Sequence, residues 1–409
     1  MSGYPYHLPR SELELRWERC RRNLAGSAPA AGGLLVFSRL NIYYFTGTMA
    51  SGLFWLPLEG KPILLCRRGQ ARAGLESPVE LQTSFRSFRE VPGLISERGD
   101  PLPRIIAAEM NGLSWSLSRS LVSHLDTCSF LEGDSSIALS RSIKSEWELQ
   151  RIRTAGNRHA TSLLSLLPPF LAPGMTEMEI AHRIWEIFLG QGHQGLLRMG
   201  GYGEEIFLGH VSTGESANYP SVLNGPVGVR GGHPAVPFMG SPVVRWAKDS
   251  PLTVDVGFGI EGYVTDKTQV YWSGTPSTIP DDFRAAHDFC VELQHRMAER
   301  LLPGSVPADI AAEAFDLAGR RGWSEGFMAL GANKVPFVGH GIGLAVDEYP
   351  VLAKGFDAPL EEGMVIALEP KVGIAGIGMA GVENTFEVTG RGGRCLTGQD
   401  FSILPLPAG

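Results

Sequence analysis

Residues 252–271, LTVDVGFGIEGYVTDKTQVY, do most to limit how this chain can fold. Segments 252–258 and 263–271 are rich in Val, Thr and Tyr, and Gly259 and Gly262 bracket a short turn. The stretch therefore reads as a β-hairpin. With Gly259 facing Gly262, Asp255 faces Asp266 directly across the two strands. Facing side chains have Cβ atoms about 4.5–5.5 Å apart, and like charges placed there destabilise a sheet. Two carboxylates held that close require a counter-charge or a shared proton. Lys267 points to the opposite face of a regular strand. A bound cation is the economical explanation; two solvated aspartates beside a turn are the alternative that the hairpin alone leaves open.

A chain of 409 residues is too long for one ordinary core, so two domains are expected. The composition, 43% hydrophobic and 19% charged, is that of a globular protein. A net charge of −7 without a basic block argues against nucleic acid or an anionic membrane as partner. The N-terminus, MSGYPYHLPRSELELR, lacks the apolar core of a signal peptide, and no run approaches the roughly 20 apolar residues of a membrane helix. Cys20, Cys66, Cys128, Cys290 and Cys395 are scattered and lack paired spacing. They read as reduced thiols of a cytoplasmic protein, neither a disulfide frame nor a zinc cluster.

Along the chain, 11–24 reads as a charged helix with Ser11 as N-cap and Glu14 closing a capping box. Segments 33–37, 42–47, 62–66 and 104–109 read as strands of a mixed sheet, giving a small α/β domain. Residues 131–145 are the expected linker. Ser145 with Glu148, and Thr176 with Glu179, open two amphipathic helices, the first ended by Pro168 and Pro169. The Gly- and Pro-dense stretch 199–246 reads as a long loop over a site and carries His210 and His233. Two further helices are expected at about 281–302 and 307–321, with Ser305 capping the second.

Three more positions carry ligand chemistry. His340 lies in VGHGIGL, where flanking glycines leave the imidazole uncrowded. Glu369 ends the apolar strand VIALEPK and is costly to bury unpaired. Glu383, in GVENTFEV, leads into a strand, and an antiparallel pair joined through GIAGIGM brings it near Glu369. Glu387 reads as a surface or supporting acid. Four carboxylates and one imidazole suit a divalent ion such as Mn²⁺, Fe²⁺, Co²⁺ or Zn²⁺, and four negative charges balance two of them.

The ordered set Asp255, Asp266, His340 in GHGIG, Glu369 in LEP and Glu383 in GVENT resembles the pita-bread metallopeptidases. That family includes methionine aminopeptidase, Xaa-Pro aminopeptidase and prolidase. The resemblance spans the chain. It implies an α+β protein with a creatinase-type α/β N-terminal domain at 1–140 and a pita-bread catalytic domain at 146–409. LAVDEYP after the histidine points to the Xaa-Pro branch. The family implies that Asp266 and Glu383 bridge two divalent metals, that Asp255 holds one, and that His340 and Glu369 hold the other. The family also implies that Glu369 takes a proton from the water that attacks the carbonyl before proline. Small peptides as substrate and a homodimer are further family expectations. Departures from the pattern stand at Asp347, Pro336 and Ser221, where histidines are usual, and at Gly381, where an arginine is. Asp347, Glu348, His210 or His233 is then needed to replace the lost donors. The alternatives are a non-peptidase hydrolase or lyase on the same five ligands, or a non-catalytic binding module.

Overall fold

Branched apolar runs separated by turns fill the first third of the chain. In the computed structural model, which describes residues 7–201 and 203–406, they form a mixed sheet. The first six residues of the N-terminal stretch lie outside the described residues. The chain divides into two compact units between Arg141 and Ser142.

The first unit holds β1 (Gly33–Val36), β2 (Ser51–Pro57), β3 (Ile63–Arg68), β4 (Leu81–Ser84), β5 (Ile105–Ala108) and β6 (Ser129–Glu132), ordered β4-β3-β2-β1-β5-β6. Residues 42–47, expected as a strand, instead close a helix, Arg39–Thr46. The Ser38 side chain accepts the Asn41 N–H, Gly47 ends the helix at φ 76°, and Ile42, Phe45 and Thr46 are buried at helical spacing. The charged helix runs Arg10–Ser27 from Pro9, so Ser11 sits inside its first turn and does not cap it. The expected linker carries the end of β6 and a helix, Asp134–Ser142.

In the second unit both capping boxes form as expected, opening helices Glu146–Thr161 and Glu177–Gly190. A nine-stranded sheet follows. Its strands come from a small ribbon onward: β7 (Leu197–Arg198) and β8 (Glu205–Ile206) form the ribbon, then β9 (Gly209–Thr213), β10 (Pro251–Ile260), β11 (Tyr263–Trp272), β12 (Phe337–Gly341), β13 (Glu348–Ala353) and β14 (Val365–Leu368). Then come β15 (Lys371–Ile374) and β16 (Gly378–Gly381), a separate hairpin, and β17 (Glu383–Thr389), β18 (Gly392–Cys395) and β19 (Leu404–Pro405). The main path is β13-β12-β14-β17-β11-β10-β9, with β18 on β17 and β19 on β11. Helices Asp281–Glu299 and Pro307–Arg320 share one core with this sheet, and helices Glu146–Thr161 and Glu177–Gly190 share another. Val306, not Ser305, precedes Pro307 at the helix start. The stretch 199–246 contains β8, β9 and a short 3-10 turn, and is otherwise irregular. Among the described residues, no helix is long and apolar enough to cross a membrane.

Candidate metal centre

The register of β10 and β11 follows from their turn. Glu261 and Gly262 both have positive φ (50° and 86°), the signature of a two-residue hairpin turn, and Ile260 pairs with Tyr263. Asp255 therefore faces Thr268, and Asp266 faces Gly257. The expected direct facing of the two aspartates is corrected by a slip of two positions. Because side chains alternate with a period of two, the slip keeps both carboxylates on one face as diagonal neighbours. Thr268 instead donates its hydroxyl to Asp255 Oδ1 at 2.5 Å.

The same register builds a row across four strands. His210 on β9 is opposite Asp255, Asp255 opposite Thr268, and Thr268 opposite Glu383 on β17. Next along the sheet, Leu368 pairs with Asn384, which sets Glu369 beside Glu383, and β12 brings in His340 against β14. His340 Nε2 lies 3.7 Å from Glu369 Oε1 and 3.7 Å from Glu383 Oε1. Donor atoms of Asp266, His340 and Glu383 all lie within 4.8 Å of one another. The five residues singled out in the sequence thus meet in one place.

A sixth charged group, not singled out in the sequence, shares it. Lys371 opens β15, two residues after Glu369, and is fully buried. Its Nζ lies 2.5 Å from Glu383 Oε2, 3.2 Å from Glu369 Oε2 and 3.6 Å from Asp255 Oδ1. Each glutamate therefore turns one oxygen to Lys371 and the other to His340. Gly381, where the family carries arginine, pairs with Lys371 across the β15–β16 hairpin. A Cβ at Gly381 would stand 2.5 Å from Pro370 O and 3.1 Å from Lys371 Cγ, so the glycine leaves room for the lysine stem.

Four carboxylates outnumber the nearby side-chain cations, and protonation answers the excess. Burial, reinforced by Glu383, pushes Asp266 up to about 8. Burial lifts Glu369 to about 7 against the pull of Lys371. Burial also disfavours charge on His340, but hydrogen bonding to Glu383 and the nearby carboxylates raise it to about 10. Glu383 alone is held well below the usual carboxylate range, because Lys371 and His340 overcome its burial. Charge on the His340 side is thus balanced by protons on the acids and the imidazole, which a divalent ion would displace. The donors of the site, one imidazole nitrogen and carboxylate oxygens, fit a divalent ion. Two ligands about 2.1 Å from a common tetrahedral ion stand about 3.4 Å apart, near the 3.7 Å seen. His340 Nδ1 lies 3.1 Å from Gly341 O, a contact that as a donor would leave Nε2 free to ligate.

A cavity of about 320 Å³ opens over the row, lined by Asp255, Asp266, His340, Glu369, Glu383 and His210. Its walls are apolar, with Ile206, Leu208, Phe337, Val351 and Phe356. His210 is buried; its Nδ1 is 2.9 Å from Val227 O, and its Nε2 has no hydrogen-bond partner among the described residues. Asp347 lines the same cavity and accepts the Gly200 N–H at 2.5 Å. Glu348 is occupied by the N–H groups of Leu344 and Ala345 at 2.8 and 2.9 Å. His233 is exposed, accepts the Ala235 N–H and does not line the cavity. Ser221 and Pro336 also do not line it. Glu387 is buried against Arg153 and Arg394, an ion-pair acid rather than a surface one. Lys267 does point away, donating to Asn384 Oδ1 at 2.8 Å.

Comparison with known proteins agrees with this geometry. Residues 150–390 match the model of metallopeptidase family M24, and residues 16–143 match the creatinase/prolidase N-terminal domain. An uncharacterized peptidase of Staphylococcus aureus (strain USA300) is 26% identical over 369 residues, 88% of this chain and 92% of the relative. The X-Pro aminopeptidase of Thermotoga maritima superposes with TM-score 0.76 at 22% identity, over 95% of this chain and 99% of that one. The Xaa-Pro dipeptidase of Bacillus anthracis does so with TM-score 0.78 at 21% identity, over 96% and 100%. With more than half its length matched and a buried carboxylate–imidazole cluster where that match lies, this chain belongs to metallopeptidase family M24 and carries a creatinase-type N-terminal domain on the pita-bread fold.

Proposed function

We propose that the protein is a metal-dependent hydrolase of small peptides that cuts the bond before proline. The observation that carries this reading is the row of carboxylates beside His340 at the floor of an apolar-walled cavity. Asp266, His340, Glu369 and Glu383 would hold a divalent ion, which supplies Lewis acidity and makes water a stronger acid. Glu369, which lines the cavity with Oε1 3.7 Å from His340 Nε2, suits the group that takes a proton from water and returns it to the leaving amine. His210 lines the cavity and its buried Nε2 has no hydrogen-bond partner among the described residues, which suits the donor role left open by Asp347, Pro336 and Ser221. The aromatic and branched walls suit a proline ring, and Asp347 suits a substrate amino group.

The test is hydrolysis of an Xaa-Pro dipeptide and an Xaa-Pro tripeptide by metal-stripped protein refilled with Mn²⁺, Co²⁺, Fe²⁺ or Zn²⁺ in turn. Metal-dependent release of the first residue is expected, and the preferred length distinguishes a dipeptidase from an aminopeptidase. Ion uptake with no cleavage of either peptide would rule out this substrate class.

A further inference from the structure

We propose that the Lys371 ammonium takes the place of a second cation, so that the centre accepts one divalent ion, on its His340 side, and not two. The inference rests on the reading of this cluster as a metal centre, and concerns only how many ions it takes. Three observations carry it. First, the oxygens divide: Oε2 of Glu369 and Glu383 and Oδ1 of Asp255 surround Lys371 Nζ, while Oε1 of both glutamates faces His340 Nε2. The two glutamates thus serve two cation positions, and a side chain already fills one. Second, the lysine is fixed there by the fold. It opens a hairpin strand packed against helix Asp281–Glu299, it is fully buried, and Gly381 facing it leaves space only for its own stem. Third, Asp255 Oδ1 on the lysine side is committed twice over: the Thr268 hydroxyl donates its one proton to it at 2.5 Å, with Glu383 Oε2 3.3 Å from the same hydroxyl. An ion entering there would have to displace an ammonium that has no route to water.

The experiment counts ions. Wild-type protein is stripped with a chelator, reloaded with Mn²⁺ and dialysed, and its metal is measured per chain by elemental analysis and electron paramagnetic resonance. One ion per chain with an isolated-ion spectrum is expected. Lys371→Gly and Lys371→Ala, checked for folding by circular dichroism, are expected to hold two ions with an exchange-coupled spectrum. Two ions in the wild type would overturn the inference, as would none, or an unchanged count of one in folded variants. If neither variant folds, the wild-type count decides. The peptide assay is read separately. One ion without cleavage supports this inference and removes the proposed substrate; two ions with cleavage does the reverse.

Discussion

His210 is the residue whose removal best separates chemistry from structure. The residue lines the cavity, its buried Nε2 has no hydrogen-bond partner among the described residues, and its Nδ1 lies 2.9 Å from Val227 O. His210→Gln is expected to lower kcat/KM on an Xaa-Pro substrate by about 10²–10³, the usual effect of losing one donor to a developing oxyanion. Metal content and thermal stability should stay near wild type; a matching loss of bound metal would instead make His210 a ligand. The ordered acids and His340 were legible in the sequence because their spacing and strand context repeat a family pattern. Lys371 was equally visible, two positions after Glu369. A lysine beside a glycine-rich turn ordinarily faces water, however, and only the pairing of β15 with β16 turns this one inward. His233 lies away from the cavity for the opposite reason: a glycine-rich loop places no residue until its closing contacts are known.

At the scale of elements, strand parity was easier to read than strand register. The Glu261–Gly262 turn moves the pairing by two positions, which changes every facing partner and leaves every face unchanged. The helix at Arg39–Thr46 shows the converse, since its branched and aromatic residues favour a strand locally and its Ser38 cap and Gly47 stop decide otherwise. The same hairpin carries a pH dependence. Gly259 donates its N–H to buried His193 at 2.9 Å, and burial pushes His193 down from 6.5 to about 4. Between those values the unfolded chain binds a proton that the folded one refuses, so stability falls as pH drops below 6.5 and the loss is complete below about 4. Buried His159 and His287 act in the same direction. Asp266 and Glu369, whose carboxyls burial raises, act the other way in the same range, so the His193 contribution, on the order of 3 kcal/mol at its limit, is read by comparing urea unfolding of wild type and His193→Gln near pH 7.5 and near pH 5. Between the two pH values the wild type should lose more stability, or gain less, than His193→Gln; an equal change would show that the imidazole is protonated in the folded state.

For the whole molecule, the two units have separate hydrophobic cores, and every residue of the candidate metal centre belongs to the second. Calorimetry is expected to resolve two transitions. A divalent ion at about 100 times its Kd should stabilise the second unit by about 2.7 kcal/mol and leave the first unit's transition where it was. Equal movement of both would mean that the units unfold as one. The buried lysine adds a consequence for life under metal starvation. A chelator can remove an ion but not a side chain, so the emptied protein keeps an internal counter-charge among its crowded acids. Its architecture should outlast its activity when ions are scarce, ready to resume work when they return.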